Sequence, residues 1–332
     1  MLCKTPRISI VIRALDEEEH IGRLLEGIRA QSVPMEQIEV IVVDSGSTDR
    51  TVAIAKSYGC RVLSIEKSEF SFGRALNIGC DAATGEILVF ASAHVYPVHH
   101  DWLERLVAPF KNARVVLSYG RQQGGPTNKY SEHRLFEAWF PKDSTSDQKT
   151  YFCNNANCAV RRSAWLENRY DEVLTGLEDL DWAKRAQKRG GRIAYAAEAS
   201  IVHVHEETWP QVRNRYYREA LALRQIEPHM RFGWIDFLFL FARHVLHDAY
   251  RAYAENVLRA ELGGIILFRY NQLWGTFLGY RRTGAVTKSL KMRFYYPPTT
   301  DEARPPELKR SPAASAVFGG DAERRKIVYS SR

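Results

Sequence analysis

Residues 38–49 read Ile-Glu-Val-Ile-Val-Val-Asp-Ser-Gly-Ser-Thr-Asp. A short apolar run rich in β-branched residues is the pattern of a strand buried on both faces. Asp44-Ser45-Gly46-Ser47-Thr48-Asp49 then closes it with turn formers, and Asp49 is suited to cap a following helix. Working towards the N-terminus, Ile8–Ile12 is a second such run. Asp16 with Glu19 three residues on predicts a capping box, before Ile21, Leu24, Leu25 and Ile28 at helical spacing. Towards the C-terminus the pattern predicts a helix over 50–58 ending at Gly59, a strand over 61–65, a helix over 72–83 and a strand over 86–90. The order β-α-β-α-β-α-β implies an α/β fold with a mainly parallel sheet flanked by helices. Ligands of such sheets lie at the carboxyl ends of the strands. The loops 13–18, 44–49 and 91–97 are therefore the first places to look for function.

The remaining chain is less regular. Residues 122–128 and 142–149 read as polar loops, and 151–160 as a strand dense in Asn. A helix is expected over 180–189 and strands over 192–195 and 200–204. From about 208 the chain is helical and aromatic, and from 297 it is Pro-rich and polar. The expected organisation is an α/β domain over 1–225, a helical, basic and aromatic region over 226–296, and a flexible tail over 297–332.

The 332 residues are 45% hydrophobic and 26% charged, which excludes a disordered or collagenous chain. Five cysteines at scattered positions argue against a disulfide framework and for a reducing compartment. No signal-peptide pattern and no uncharged apolar run of membrane-spanning length is seen. The net charge of +8 is uneven: residues 1–210 carry 26 Lys and Arg against 28 Asp and Glu, residues 211–332 carry 21 against 11. Basicity thus belongs to the C-terminal third, which fits docking on an anionic lipid surface. No nucleic-acid motif accompanies it.

The first strand loop, Arg13-Ala-Leu-Asp-Glu-Glu-Glu19, is acidic. It lacks the glycines that let backbone N–H groups reach a pyrophosphate, which disfavours dinucleotide and P-loop chemistry. That loop, Val42-Val-Asp-Ser-Gly-Ser-Thr-Asp49 and Gly176-Leu-Glu-Asp-Leu-Asp-Trp182 together resemble the family 2 glycosyltransferases with the GT-A (nucleotide-diphospho-sugar transferase) fold, over about residues 8–205. The resemblance implies an inverting hexosyl or deoxyhexosyl transferase. It would move a sugar from a nucleoside-diphosphate donor (UDP, dTDP or GDP) to a hydroxyl of a saccharide or lipid-linked saccharide in bacterial surface polysaccharide synthesis. The expected location is the cytoplasm or the cytoplasmic face of the inner membrane. A rival reading is a catalytically degenerate module of the same fold that binds nucleotide or saccharide without turnover.

By the same resemblance Asp44 binds nucleotide, and its carboxylate chemistry suits a base N3–H or ribose hydroxyls. Arg13, Asp16, Glu17 and Ser92 are expected beside it. Asp179 is the expected base, and Glu178 shapes the acceptor pocket. Asn155, Asn157 and Trp182 are expected at the donor or acceptor sugar. Asp181 is expected to pair Lys184 or Arg185 along its helix. Arg213 and Arg218 are candidates for the diphosphate.

The family's Asp-x-Asp after the fourth strand is replaced by Ser92-Ala93-His94. His94 is then a candidate metal ligand with His205, and His203 is a less favoured one. The family cofactor would be Mn²⁺ or Mg²⁺, although imidazole suits Mn, Zn or Fe better than Mg. Neutralisation of the diphosphate by cationic side chains, without metal, is the other route.

Overall fold

The protein is described by a computed structural model over residues 8–296. The expected tail from residue 297 lies outside the described residues. In chain order the elements are β1 (Ile8–Ala14), α1 (Ile21–Arg29), β2 (Ile38–Asp44), α2 (Thr51–Ser57), β3 (Arg61–Ser64), α3 (Phe72–Ala82), β4 (Ile87–Ser92), β5 (Val95–Pro97) and α4 (Trp102–Val107). They continue with β6 (Val115–Gly124), α5 (Tyr130–Trp139), β7 (Asn157–Arg161), α6 (Arg162–Glu167), α7 (Glu178–Lys188) and β8 (Arg192–His203). Four helices follow: α8 (Trp209–Ile226), α9 (Trp234–Ala254), α10 (Leu258–Arg281) and α11 (Lys288–Tyr295).

One eight-stranded sheet has the order β3-β2-β1-β4-β7-β6-β8-β5. β1, β2, β3 and β4 are parallel, as the repeated strand–helix pattern requires. β7 runs antiparallel between β4 and β6, and β6 with β8 is again parallel. The sheet is therefore mixed beyond its first half. Alternate residues feed two cores. Ile10, Ile12 and Val42 pack with α1 and α4 on one face; Val11, Ile41 and Val43 pack with α3 and α7 on the other.

Two expectations fail locally. The polar loop expected over 122–128 is strand as far as Gly124, the end of β6, and α5 lies in a stretch to which the pattern assigned no element. The strands at 192–195 and 200–204 are one strand, β8, with an irregularity against β6 between Gly120 and Gln122. A Cβ at Gly120 would lie 2.1 Å from the Ala199 carbonyl oxygen, so only glycine lets the two strands approach there.

The C-terminal helices join the same compact unit through Tyr295. α10 lies against α8 through Gly275 and Gly279, whose added Cβ atoms would meet the Arg213 carbonyl oxygen at 2.3 Å and the Ala220 Cβ at 2.5 Å. A buried ion pair, Arg269 Nε to Asp248 Oδ2 at 2.7 Å, ties α10 to α9, and Ser131 of α5 donates to the same carboxylate. The opposite face of α9 is uncovered among the described residues. Ile235, Phe239, Leu246, Tyr250 and Tyr253 fall on one helical stripe and are 62% to 81% exposed. No described helix is long and apolar enough to cross a membrane. Cys60, Cys80, Cys153 and Cys158 are free thiols.

Candidate active site

The carboxyl ends of β1, β4 and β8 and the start of α7 and α8 enclose a cavity of about 610 Å³. Eight carboxylates and three arginines line it. Of the residues singled out in the sequence, Arg13, Asp16, Glu17, Ser92, His94, Asn155, Glu178, Asp179, His203, His205 and Arg218 form part of its wall.

The first rim is built by two loops that lock each other. Asp16 does not cap α1. It has a left-handed backbone (φ 51°), and its carboxylate accepts the Thr48 N–H at 2.7 Å while Ser47 Oγ accepts the Asp16 N–H at 2.9 Å. α1 starts only at Ile21, with no side-chain cap. The loop-to-loop bonds outcompete the local cap because they satisfy donors on both segments. Asp49 joins this clasp: it accepts from Thr51 N–H at the start of α2, as a capping carboxylate does, and from Glu18 N–H.

Asp44 lies on the same rim, paired with Ala14 of β1, but outside the cavity wall. Its carboxylate accepts the N–H groups of Gly46 at 3.0 Å and Ser47 at 3.2 Å, so part of its capacity is spent on its own turn.

At the other wall, Glu178 and Asp179 open α7, preceded by Leu177 at φ 55°. Arg13 Nη1 donates to Glu178 Oε1 at 2.9 Å, joining the end of β1 to α7. Asp179 Oδ2 accepts the Asn155 N–H at 3.0 Å and Oδ1 accepts the Leu180 N–H at 2.8 Å. Burial, then the negative charge of Glu178, push the Asp179 carboxyl up to about 7, against those hydrogen bonds and Arg13. A carboxylate poised there is suited to proton abstraction near neutral pH. Asn155 has its Nδ2 buried without a protein partner, while Oδ1 accepts from the Tyr170 hydroxyl at 3.4 Å. Asp181 pairs Arg185 at 2.8 Å, as its spacing predicts.

Three expected site residues are elsewhere. Asn157 is fully buried in the sheet. Its Oδ1 accepts Trp102 Nε1–H, and its Nδ2 donates to the carbonyls of Arg121 and Ala199, so no group is left to read a sugar. Trp182 faces the core beside Tyr170, because one turn past Asp179 the helix turns inward onto the sheet. Arg213 is exposed and off the cavity; the face of α8 that looks in carries Gln211, Arg215, Arg218 and Glu219. Arg215 was missed because i, i+4, i+7 spacing from 211 cannot be told from a solvated basic face without knowing what α8 packs on.

The cavity floor holds the imidazoles of His94, His203 and His205, with one ligand atom from each within 4.8 Å of the others. His94 Nδ1 is 2.7 Å from Glu17 Oε1, His203 Nδ1 is 2.8 Å from Gln122 Oε1, and His205 Nδ1 is 3.0 Å from Glu132 Oε1. Burial lowers the pKa of His203 and His205, keeping them neutral. Burial works the same way on His94, but the Glu17 carboxylate outweighs it and the net shift is upward. Glu132 falls to about 2: burial opposes this, but His205 and then Arg215, 2.8 Å away, prevail. Gln122 and Glu132 were not legible as site residues, since they lie in β6 and α5, the two elements the pattern left unread. Two other groups, Glu19/His20/Glu206 in the cavity wall and Glu132/His205/Glu207 with Glu132 behind it, are also close enough to hold a cation.

The mixed sheet of this order, flanked by helices and extended by C-terminal ones, has the GT-A fold. Residues 9–169, just under half of the chain, match the family described as Glycosyl transferase family 2, and that match, together with the curated relatives, marks the protein as a glycosyltransferase. Among curated relatives it is 28% identical to glycosyltransferase AglE of Haloferax volcanii, over 61% of this chain and 68% of that one. It is 30% identical to the O-antigen chain rhamnosyltransferase WbaN of Salmonella anatum, over 54% of this chain and 60% of that one. Mannosyltransferase PcManGT of Pyrobaculum calidifontis, solved with GDP-Man and Mn²⁺, superimposes with a TM-score of 0.55 and 20% identity, each chain covered to 88%, a likeness of fold.

Proposed function

We propose that this protein is an inverting glycosyltransferase that moves a sugar from a nucleoside-diphosphate donor to a hydroxyl of a lipid-linked or polymeric saccharide, in the assembly of a bacterial surface polysaccharide. The observation that carries it is Asp179: a buried carboxylate raised to about 7, aimed into a cavity of about 610 Å³ at the strand ends. The name of WbaN, an O-antigen chain rhamnosyltransferase, supports the acceptor class, and that of PcManGT the donor class.

In this reading the donor lies along the rim from Asp44 towards Ser92, with Arg13, Asp16 and Glu17 beside the nucleotide. Asn155 Nδ2 donates to a sugar hydroxyl, and Asp179 takes the proton of the acceptor hydroxyl as its oxygen attacks the anomeric carbon. Direct attack by the acceptor oxygen from the side opposite the diphosphate gives inversion. Arg218, stacked with its guanidinium 4.6 Å from the Phe72 ring centre, faces the departing diphosphate. A wall of eight carboxylates against three arginines repels a diphosphate unless a cation enters with it. His94, His203 and His205 would hold a divalent metal such as Mn²⁺, which when bound supplies Lewis-acid stabilisation of the leaving diphosphate.

The basic, aromatic C-terminal helices serve the acceptor. Residues 228–296 carry ten Lys and Arg against four Asp and Glu, and Arg243 and Arg251 flank the uncovered stripe of α9. Apolar area beside cations fits an anionic bilayer surface, where a lipid-linked saccharide is presented. This would place the enzyme on the cytoplasmic face of the inner membrane.

The test is a thermal-shift panel of UDP, dTDP, GDP, ADP and CDP, each with and without Mn²⁺. One base should stabilise the fold more than the others, by an amount that grows with concentration. No stabilisation by any nucleotide would overturn the reading.

A further inference from the structure

We propose that the metal centre of this chain is built from imidazole alone, His94, His203 and His205, held in ligating geometry by Glu17, Gln122 and Glu132, and that it takes a borderline metal such as Zn²⁺, Co²⁺, Fe²⁺ or Mn²⁺ and refuses Mg²⁺. The inference rests on the donor-site reading only for the location of the cavity. It concerns the ligand set, the residues that orient it and the metal it selects.

The geometry carries it. A carboxylate accepts and cannot donate, so Glu17 and Glu132 fix the proton of His94 and His205 on Nδ1. The Gln122 amide oxygen does the same for His203. Each ring is thereby left with Nε2 as its free lone pair. The Nε2 atoms of His203 and His205 stand 3.1 Å apart, facing one another. Two lone pairs at that separation repel unless a cation or a single proton lies between them. Two nitrogens on one metal at usual bond lengths and angles would be separated by about 3.0–3.4 Å, so the pair is already spaced for a shared ion. The third imidazole, His94, stacks on His203 with ring centres 5.1 Å apart, and its ligand atom completes the group. A shared proton would explain the pair but not the third ring.

The supporting shell is specific. Glu132 comes from α5, Gln122 from β6 and Glu17 from the loop after β1, so three separate segments converge on three rings. Asn157 belongs to this design: by bonding the Arg121 and Ala199 carbonyls it holds the irregular stretch of β6 and β8 that brings Gln122 to His203. Outer acceptors of this kind fix tautomer and ring orientation in metal sites, and their loss costs about 10–100-fold in affinity. Neutral imidazole favours transition metals, whereas Mg²⁺ demands oxygen ligands. No carboxylate replaces the missing family aspartate at position 94.

The experiment titrates the full-length, metal-free protein with Co²⁺, in the absence of any donor or acceptor, and follows the visible ligand-field absorption. One Co²⁺ per chain should bind with bands of a nitrogen-rich site, and Zn²⁺ should displace it while millimolar Mg²⁺ should not. His203→Ala and His205→Ala should each weaken binding at least about 100-fold, and Glu132→Gln and Gln122→Ala about 10–100-fold. Circular dichroism of the metal-free variants checks that they fold. Should a variant not fold, pulsed EPR of the Mn²⁺-loaded wild type counts the coupled imidazole nitrogens directly, with three expected. Fewer than three, displacement by Mg²⁺, or unchanged affinity in a folded His203→Ala would overturn the proposal. Intact Co²⁺ binding in a protein that no nucleotide stabilises would instead overturn the donor reading alone.

Discussion

Arg13, the sixth residue of β1, and Glu178, the first of α7, meet at 2.9 Å across 165 positions of sequence, and the residue after Glu178 is the candidate base. The pair couples the end of β1 to the start of α7, the proposed nucleotide rim to the helix that carries the proposed base. It also sets the charge that Asp179 feels, since Glu178 raises and Arg13 lowers its pKa. Replacing Glu178 by Gln removes the raising charge and keeps the shape. The acid limb of the kcat/KM profile should therefore move to lower pH, by roughly half a unit to one unit, about 0.7–1.4 kcal/mol. A limb that stays in place under that substitution would show that the titrating group is another one.

For the wild type the sign follows from the role. A base works ionised, so turnover should fall about tenfold per pH unit below about 7, where Asp179 takes up its proton. Stability runs the other way. The folded state holds this proton more tightly than the unfolded chain, whose carboxyl keeps the ordinary value of 3.8. The contribution is therefore fully present below about pH 4 and is lost as pH rises through about 7. Urea denaturation at about pH 5 and about pH 8 measures it: Asp179→Asn should gain stability relative to wild type between the two.

Asn157→Ala should act on the fold. It strands the buried Trp102 Nε1–H and Ala199 carbonyl, and the part-buried Arg121 carbonyl, at roughly 1–3 kcal/mol for each buried polar group left unpaired, and about 2–6 kcal/mol in all. Denaturant midpoints report this. Asn155→Ala, by contrast, should leave stability within about 1 kcal/mol and raise the donor or acceptor KM, since its Nδ2 has no protein partner to lose. Equal destabilisation by both would contradict the division of roles.

The uncovered stripe of α9 should bind vesicles containing phosphatidylglycerol and not pure phosphatidylcholine, with affinity falling as salt rises. Phe239→Ser with Leu246→Ser removes two exposed apolar side chains, each worth about 2 kcal/mol when buried. Cosedimentation should drop at least tenfold. If the double variant and the wild type partition alike, or if the wild type instead self-associates through this face, the membrane reading fails.

The first half of the sheet was legible because buried parallel strands announce themselves as β-branched runs closed by turn residues, as in Ile38–Asp44. β6 was not: its second half, Tyr-Gly-Arg-Gln-Gln-Gly, has Arg121 at the irregularity and Gln122 just past it, so that polarity follows the site and alternation breaks. The same holds for the site. Glu178, Asp179, His94 and His205 stood out as chemistry at element ends. Asn157 and Trp182 misled because their side chains face into the sheet and core, a matter of which way the chain turns after the preceding loop. Glu132 could not be found from sequence, since nothing local distinguishes a capping-box glutamate at the start of α5 from one that also accepts from His205.

The central claim is that Asp179 is the base of a sugar transfer in this cavity, and single-turnover transfer by Asp179→Asn tests it most directly. With the donor chosen by the nucleotide panel, the variant should bind nucleotide as the wild type does and transfer at least about 1000-fold more slowly, the scale of a lost general base. Transfer at the wild-type rate by a correctly folded Asp179→Asn would contradict the account.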